Sequence, residues 1–235
     1  MKEVKVCLVG SGRAGMIHGH NFAGSVPGGK IIAVCDPVGN VAENAAKELG
    51  VDLFYKDYHD VMKNEEIDAV IIACPTKFHK EITVSAVNAG KHVFCEKPMA
   101  MNEEECDEMI NAAKENNVKL QIGFMRRFDE SFQEAKRMIE AGEIGDVVSV
   151  KSHTRGPSKP KEWMYDISIS NGPLGEVCSH DIDTVRWFSG SEISSLYAVG
   201  GNYRNKEIAD KYPDFYDNVI MSVEFENGMQ GVVEG

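Results

Sequence analysis

The chain has 235 residues, room for one or two domains, and its 43% hydrophobic and 26% charged content is that of an ordinary globular protein rather than a disordered or low-complexity one. Its formal net charge of −12 argues against nucleic acid as a partner, since phosphates call for clustered Lys and Arg. No apolar run approaches the roughly 20 residues needed to span a bilayer, so no membrane association is expected.

Residues Met1-Lys2-Glu3 lead straight into an apolar run at 4–9, so no signal peptide is expected. A helical stretch over about 13–23 follows, then an apolar run at 31–35. Residues 41–49 have a helical pattern that stops at Gly50. Residues 69–73 read as a strand, 78–89 as a helix ending at Gly90, and 92–95 as a strand. Asn102 caps a helix to about residue 116, with Glu103, Glu104 and Glu105 suited to its positive end. Residues 120–122 close the series. Short strands buried on both faces and alternating with helices indicate a doubly wound parallel sheet, a Rossmann-type α/β domain. Of the six cysteines, Cys7, Cys35, Cys74 and Cys95 fall in these apolar runs and read as reduced core residues. That usage points to a reducing compartment, the cytoplasm.

After about residue 123 the pattern changes. Asp129 caps a helix to about 141, stopped by Gly142, and residues 147–151 read as a strand. Residues 155–173, rich in Pro, Gly, Ser and Lys, read as a loop. One helix is expected over 174–188 and strands at 196–199 and 219–225. Asn227-Gly228 then signals a hairpin with a type I′ turn. The second half is therefore an α+β domain with an open-faced, largely antiparallel sheet. The domains are read as residues 1–122 and 123–235. The sequence ends at Gly235 inside a strand, which leaves a sheet edge, so the chain is read as a fragment truncated at its C-terminus.

Gly10-Ser11-Gly12-Arg13-Ala14-Gly15 is a G-x-G-x-x-G between a strand and a helix, the context that makes the pattern specific. Gly10 permits the tight turn, Gly12 lets a pyrophosphate approach the backbone, and Gly15 allows close packing. The helix N-terminus, with Arg13 and Ala14, offers amides and partial positive charge to phosphates. Asp36, at the end of the second strand, suits the ribose hydroxyls and would repel a 2′-phosphate, so NAD is the expected cofactor rather than NADP. The plainer reading of Asp36 is a turn residue before Pro37.

Lys97, in Glu96-Lys97-Pro98, follows a buried strand and so stands at the carboxyl end of the sheet, where ligands bind in such folds. Beside a cationic nicotinamide it would give up its proton more readily and act in general acid–base catalysis. By spacing alone a solvated strand-end lysine is the commoner case. Glu176 and His180 share one face of the expected helix, with Asp183 close by. They read as an acid–base pair, a metal site or a structural pair. No second His or Cys stands at ligand spacing, so no metal is expected.

Together these pieces resemble the glucose–fructose oxidoreductase / inositol 2-dehydrogenase (Gfo/Idh/MocA-type) family across nearly the whole chain. The match includes the glycine loop, Asp36, Cys74-Pro75-Thr76 with His79, Glu96-Lys97-Pro98, the stretch from Gly123 through Arg126-Arg127-Phe128, and Glu176 with His180-Asp181-Ile182-Asp183. The resemblance implies an NAD-binding Rossmann domain, with Cys74, Pro75, Thr76, His79, Glu96 and Lys97 joining Gly10–Gly15 and Asp36 around the cofactor. It implies catalytic roles for Lys97, His180 and Glu176, which also face substrate, and further substrate contacts at Arg127 and His153. A cis Lys97–Pro98 peptide is also implied. The chain departs from the family at Glu176, where many members carry aspartate, and family chains run well past residue 235. The implied function is oxidation of a secondary hydroxyl of a cyclitol or sugar by NAD, with a homo-oligomer formed through the second-domain sheet. A non-catalytic NAD-binding sensor on the same fold is the rival reading; the presence of Lys97 and His180 speaks for chemistry.

Overall fold

The computed structural model describes residues 3–155 and 160–235, which divide into two units, Met1–Gly123 and Phe124–Gly235. In the first unit β1 (Val4–Val9), α1 (Arg13–Gly24), β2 (Gly29–Cys35), α2 (Val41–Leu49), β3 (Leu53–Tyr55), α3 (Tyr58–Lys63), β4 (Ala69–Ile72), α4 (His79–Asn88), β5 (His92–Cys95), α5 (Glu103–Glu115) and β6 (Leu120–Ile122) follow in order. The strands form one sheet in the order β3-β2-β1-β4-β5-β6, and each neighbouring pair is parallel. Successive side chains of a strand point to opposite faces. Val6 and Leu8 therefore pack with Ala42, Ala45, Ala46 and Leu49 of α2, while Cys7 and Val9 join Ile82, Ala86, Met109 and Ala113 of α4 and α5. Two cores sandwich the sheet, which is why its strands read as unbroken apolar runs. The order reverses between β1 and β4, so the ligand crevice of such a sheet lies outside their carboxyl ends.

The caps follow the sequence. Gly50 ends α2 in the left-handed region, and the Asn102 side chain accepts from the Glu105 N–H at the start of α5. β3 and α3 are additions to the expected elements. β3 has three residues at the sheet edge, and Leu53 and Phe54 are exposed, so no alternation marks it.

The second unit contains α6 (Glu130–Glu140), β7 (Ser149–His153), α7 (Gly172–Glu176), α8 (Ser179–Ser189), β8 (Ile193–Gly201), β9 (Asn218–Phe225) and β10 (Gln230–Glu234). Its sheet runs β7-β10-β9-β8. β10 is parallel to β7, and the other two pairings are antiparallel. Val219, Met221, Val223 and Phe225 of β9 turn inward onto a core that includes Cys178 and Val185. Alternate residues of β9 stay exposed, as an open-faced sheet requires.

Four expectations need correction here. The single helix expected over 174–188 is two helices, broken at Val177 and Cys178, because apolar residues at 174, 178, 182 and 185 keep helical spacing across the break. The strand expected at 147–151 lies two residues later. The segment 155–173 is not loop throughout: it holds a short 3-10 turn at Glu162–Tyr165 and the start of α7, while residues 156–159 lie outside the described residues. The β9–β10 hairpin is not a type I′ turn, which needs positive φ at both central residues. The Phe225 N–H donates to the Met229 carbonyl (2.9 Å) and the Gly228 N–H to that of Phe225 (2.9 Å). Of Asn227 and Gly228 only the glycine, at φ 82°, is left-handed. This is the three-residue loop in which a type I turn is followed by a left-handed glycine.

Candidate functional site

The glycine loop leaves β1 and enters α1 at the carboxyl edge of the first sheet. Gly10 adopts φ +92°, and a Cβ there would lie 2.6 Å from the backbone nitrogen of Cys74, so a side chain would wedge the loop away from β4. A Cβ on Gly15 would overlap the Gly10 carbonyl oxygen. A Cβ on Gly12, by contrast, would meet nothing within 4 Å. That exposed residue caps α1, and no acidic residue stands in the helix's first turn. A loop closed underneath and open above, leading into an uncompensated helix N-terminus flanked by Arg13 and Ala14, fits a pyrophosphate.

Asp36 is buried at the end of β2. Its Oδ2 accepts from the Ser11 N–H (3.0 Å) and hydroxyl (3.1 Å), and its Oδ1 from the Val38 N–H (3.0 Å). It is thus both a turn residue and a tie to the glycine loop.

At the end of β4, Thr76 is buried and begins a short 3-10 turn, Thr76–Phe78, that leads into α4. His79 is 1% exposed. Its Nδ1 lies 2.8 Å from the Pro98 carbonyl and its Nε2 2.9 Å from that of Cys74. The ring ties the Cys74-Pro75 corner to the Lys97–Pro98 peptide, which is cis. Burial pushes the Cys74 thiol up to about 12, so it is a neutral wall of this corner.

Lys97 is half-buried, and its N–H donates to Glu96 Oε2 at 3.2 Å. Glu96 Oε1 is 2.7 Å from His18 Nε2. Burial pushes the Glu96 carboxyl up, but the hydrogen bond and charge of His18, with the peptide and charge of Lys97, outweigh it and hold the group below the ordinary carboxylate value. Sequence reasoning passed over His18. The available signal was its place on α1, three residues after Gly15 and so on the same side of the helix.

In the second unit His180 lies in the first turn of α8, half-buried and edge-on to Phe124 at 6.5 Å. Glu176 ends α7, and its Oε1 accepts from the Asn171 N–H at 3.3 Å. The helix break between them removes the argument that they share one helical face. Asp181 and Asp183, also on α8, are buried. Arg126 Nη1 donates to Asp181 at 2.9 Å. Arg127 grips Asp183 with Nε (2.8 Å to Oδ2) and Nη2 (2.8 Å to Oδ1), and its guanidinium lies over Trp187. That edge of Arg127 is committed to α8, leaving Nη1 for any substrate contact. His153 ends β7, exposed, and lines an open concavity of about 680 Å³ with Thr154, Arg155 and Glu234. Among the described residues no three His, Cys, Asp or Glu side chains gather as a metal site.

Residues 4–124 match the oxidoreductase family with an NAD-binding Rossmann fold, and residues 132–235 match the GFO/IDH/MocA C-terminal domain. The chain is 38% identical to a scyllo-inositol 2-dehydrogenase (NAD(+)) of Bacillus subtilis, over 99% of this chain and 67% of that protein. It is 32% identical to a myo-inositol 2-dehydrogenase of Thermotoga maritima, over 98% of this chain and 68% of that one. Among solved structures it is similar to scyllo-inositol dehydrogenase from Lactobacillus casei with bound NAD(H) and scyllo-inositol. There the TM-score is 0.87 and the identity 34%, over 99% of this chain and 69% of the other.

Proposed function

This chain belongs to the GFO/IDH/MocA oxidoreductase family, and from that premise we propose that it oxidises a secondary hydroxyl of a cyclitol or related sugar with NAD. When bound, NAD supplies the carbon that accepts the hydride. The residues around the glycine loop hold its phosphates through the α1 amides, and Asp36 receives the adenosine ribose hydroxyls. Lys97 takes the proton from the substrate hydroxyl as the C–H bond is lost and returns it in the reverse direction. His180 assists that transfer, while Glu176, Arg127 and His153 contribute to holding the polyol.

The observation that carries this reading is the convergence at one sheet edge of three features: an anion-receptive helix start, a carboxylate tied to it (Asp36 to Ser11, 3.0 Å), and a half-buried lysine at the end of β5. The similarity to NAD-dependent inositol dehydrogenases over 99% of the chain supports the substrate class. The outward face of the second sheet supports pairing of two copies through it, since Tyr197, Val199 and Ile220 there are 72%, 50% and 45% exposed.

The test is NADH formation from a panel of inositols and aldoses by the protein and its Lys97→Ala variant. Proton transfer by a positioned side chain is worth about 10²–10⁴-fold, so kcat should fall by that order while NADH affinity stays. A variant that turns over like the parent would remove Lys97 from the proton transfer, and a parent that binds NADH and oxidises none of the panel would favour the sensor reading instead.

A further inference from the structure

The proton-transfer chemistry makes no use of His18, yet this histidine is built into the same corner as Lys97. Its Nε2 meets Glu96 Oε1 at 2.7 Å with the two side chains 22% and 19% exposed. The ring stands edge-on against Phe94 at 5.1 Å. On the other side the Glu96 carboxylate is walled by Gly123, where a Cβ would approach its three terminal atoms to 3.2 Å. The second carboxylate oxygen accepts the Lys97 N–H. Glu96 is therefore held on three sides, by α1, by the residue after β6, and by the peptide that carries the lysine.

A contrast lies on the same helix. His20 Nε2 meets Glu48 at 2.8 Å, but those side chains are 55% and 58% exposed, and a pair so hydrated fixes little. The His18 pair is shielded, and a shielded charge-assisted hydrogen bond is the strong kind.

We propose that His18 is a positioning residue for Lys97: through Glu96 it locks the Glu96–Lys97 peptide to helix α1, so that seating the dinucleotide on the start of α1 aligns the lysine. This rests on the reading of Lys97 as the proton carrier. A displacement of about 1 Å at a reacting group can cost 10²-fold, which sets the scale of the effect.

The experiment compares His18→Ala, His18→Gln, Glu96→Gln, His20→Ala and Lys97→Ala in the whole chain. Three quantities are read: turnover of an inositol with NAD, NADH affinity by fluorescence titration, and the rate at which Lys97 is acetylated by trace acetic anhydride without cofactor, by mass spectrometry. His18→Ala and Glu96→Gln should each lower kcat by ~10–100-fold and change the Lys97 labelling rate, and His18→Ala should leave NADH affinity in place. His18→Gln, whose amide can still donate to Glu96, should recover most of both, and His20→Ala should match the parent. Parental turnover and labelling in the isosteric Glu96→Gln variant would overturn the inference, whatever His18→Ala does to folding. So would a His18→Gln variant as impaired as His18→Ala. If Lys97→Ala keeps its turnover, the reading of Lys97 is what fails, and the labelling rates still report whether His18 sets the lysine's environment.

Discussion

Arg126 and Asp181 form an ion pair, 2.9 Å apart, in which the aspartate side chain is 0% exposed and the arginine side chain 17%. The Ser152 hydroxyl also donates to the same carboxylate oxygen, Arg126 reaches Thr154 at 2.7 Å, and the second oxygen, Oδ2, is buried without a hydrogen-bond partner among the described residues. A buried pair of this kind contributes little against an apolar replacement of both partners, but removing one strands the other. Asp181→Ala should therefore cost about 3–5 kcal/mol, read as a fall in urea midpoint at constant slope. The double variant Arg126→Met/Asp181→Leu should recover most of that loss. Equal midpoints for the single variant and the parent would show that the pair bears no strain of burial.

Asp36 answers to two partners, and its replacement should reveal both. Asp36→Ser removes the charge that repels a 2′-phosphate, but it also takes the acceptor from the Ser11 N–H and hydroxyl. Hydrogen bonds to a charged group are worth about 1.5–3 kcal/mol, so NAD affinity should weaken by ~10–100-fold. The preference for NAD over NADP should collapse through loss of NAD binding more than through gain of NADP. Titrations with both nucleotides measure this; unchanged NAD affinity would remove Asp36 from the ribose site.

The parts of the site that rest on local chemistry were open to reading from the sequence, and those that rest on distant partners were not. Gly10, Gly12 and Gly15 announce themselves because a strand, a tight turn and a helix start are all written within fifteen residues. Asp36 follows from its place at the end of β2. His18 is silent because its partner Glu96 is 78 residues away, and nothing on α1 alone separates it from the solvated His20. Arg126 and Arg127 look like basic loop residues until α8, more than 50 residues later, supplies Asp181 and Asp183. The break at Val177 and Cys178 is hidden for the opposite reason: the apolar spacing runs through it, so periodicity reports a helix where the backbone has paused. β3 escaped because three exposed-edge residues carry no alternation to detect.

The six thiols offer a test of the core. Burial pushes Cys35 up to about 12 and Cys178 to about 11, and it raises Cys7, Cys95 and Cys106 as well. Since the thiolate is the reactive form, the folded chain at pH 8 should react with an aromatic disulfide reagent only slowly. All six should become available together in urea. One thiol that reacts within seconds under native conditions would contradict the packing of its strand or helix.

Asp217 supplies a pH dependence whose sign can be worked out. Partial burial raises its pKa, but the N–H groups of Tyr203 (2.8 Å), Arg204 (2.7 Å) and Asn205 (3.0 Å), with the Asn205 amide (3.0 Å), outweigh it and hold the carboxyl below its usual value. A folded-state value below the unfolded one means the carboxylate stabilises the fold fully above the ordinary aspartate range, about pH 3.9. That contribution is lost as pH falls through the depressed value. The turn from Asn202 to Asn205 should thus stay closed at pH 5 and open at strongly acidic pH. The amide resonances of Tyr203, Arg204 and Asn205 should then shift with a single midpoint below that of a free aspartate. In Asp217→Asn, which keeps the shape and cannot ionise, that transition should vanish. If the three amides titrate as before in that variant, the carboxylate is not what holds the turn.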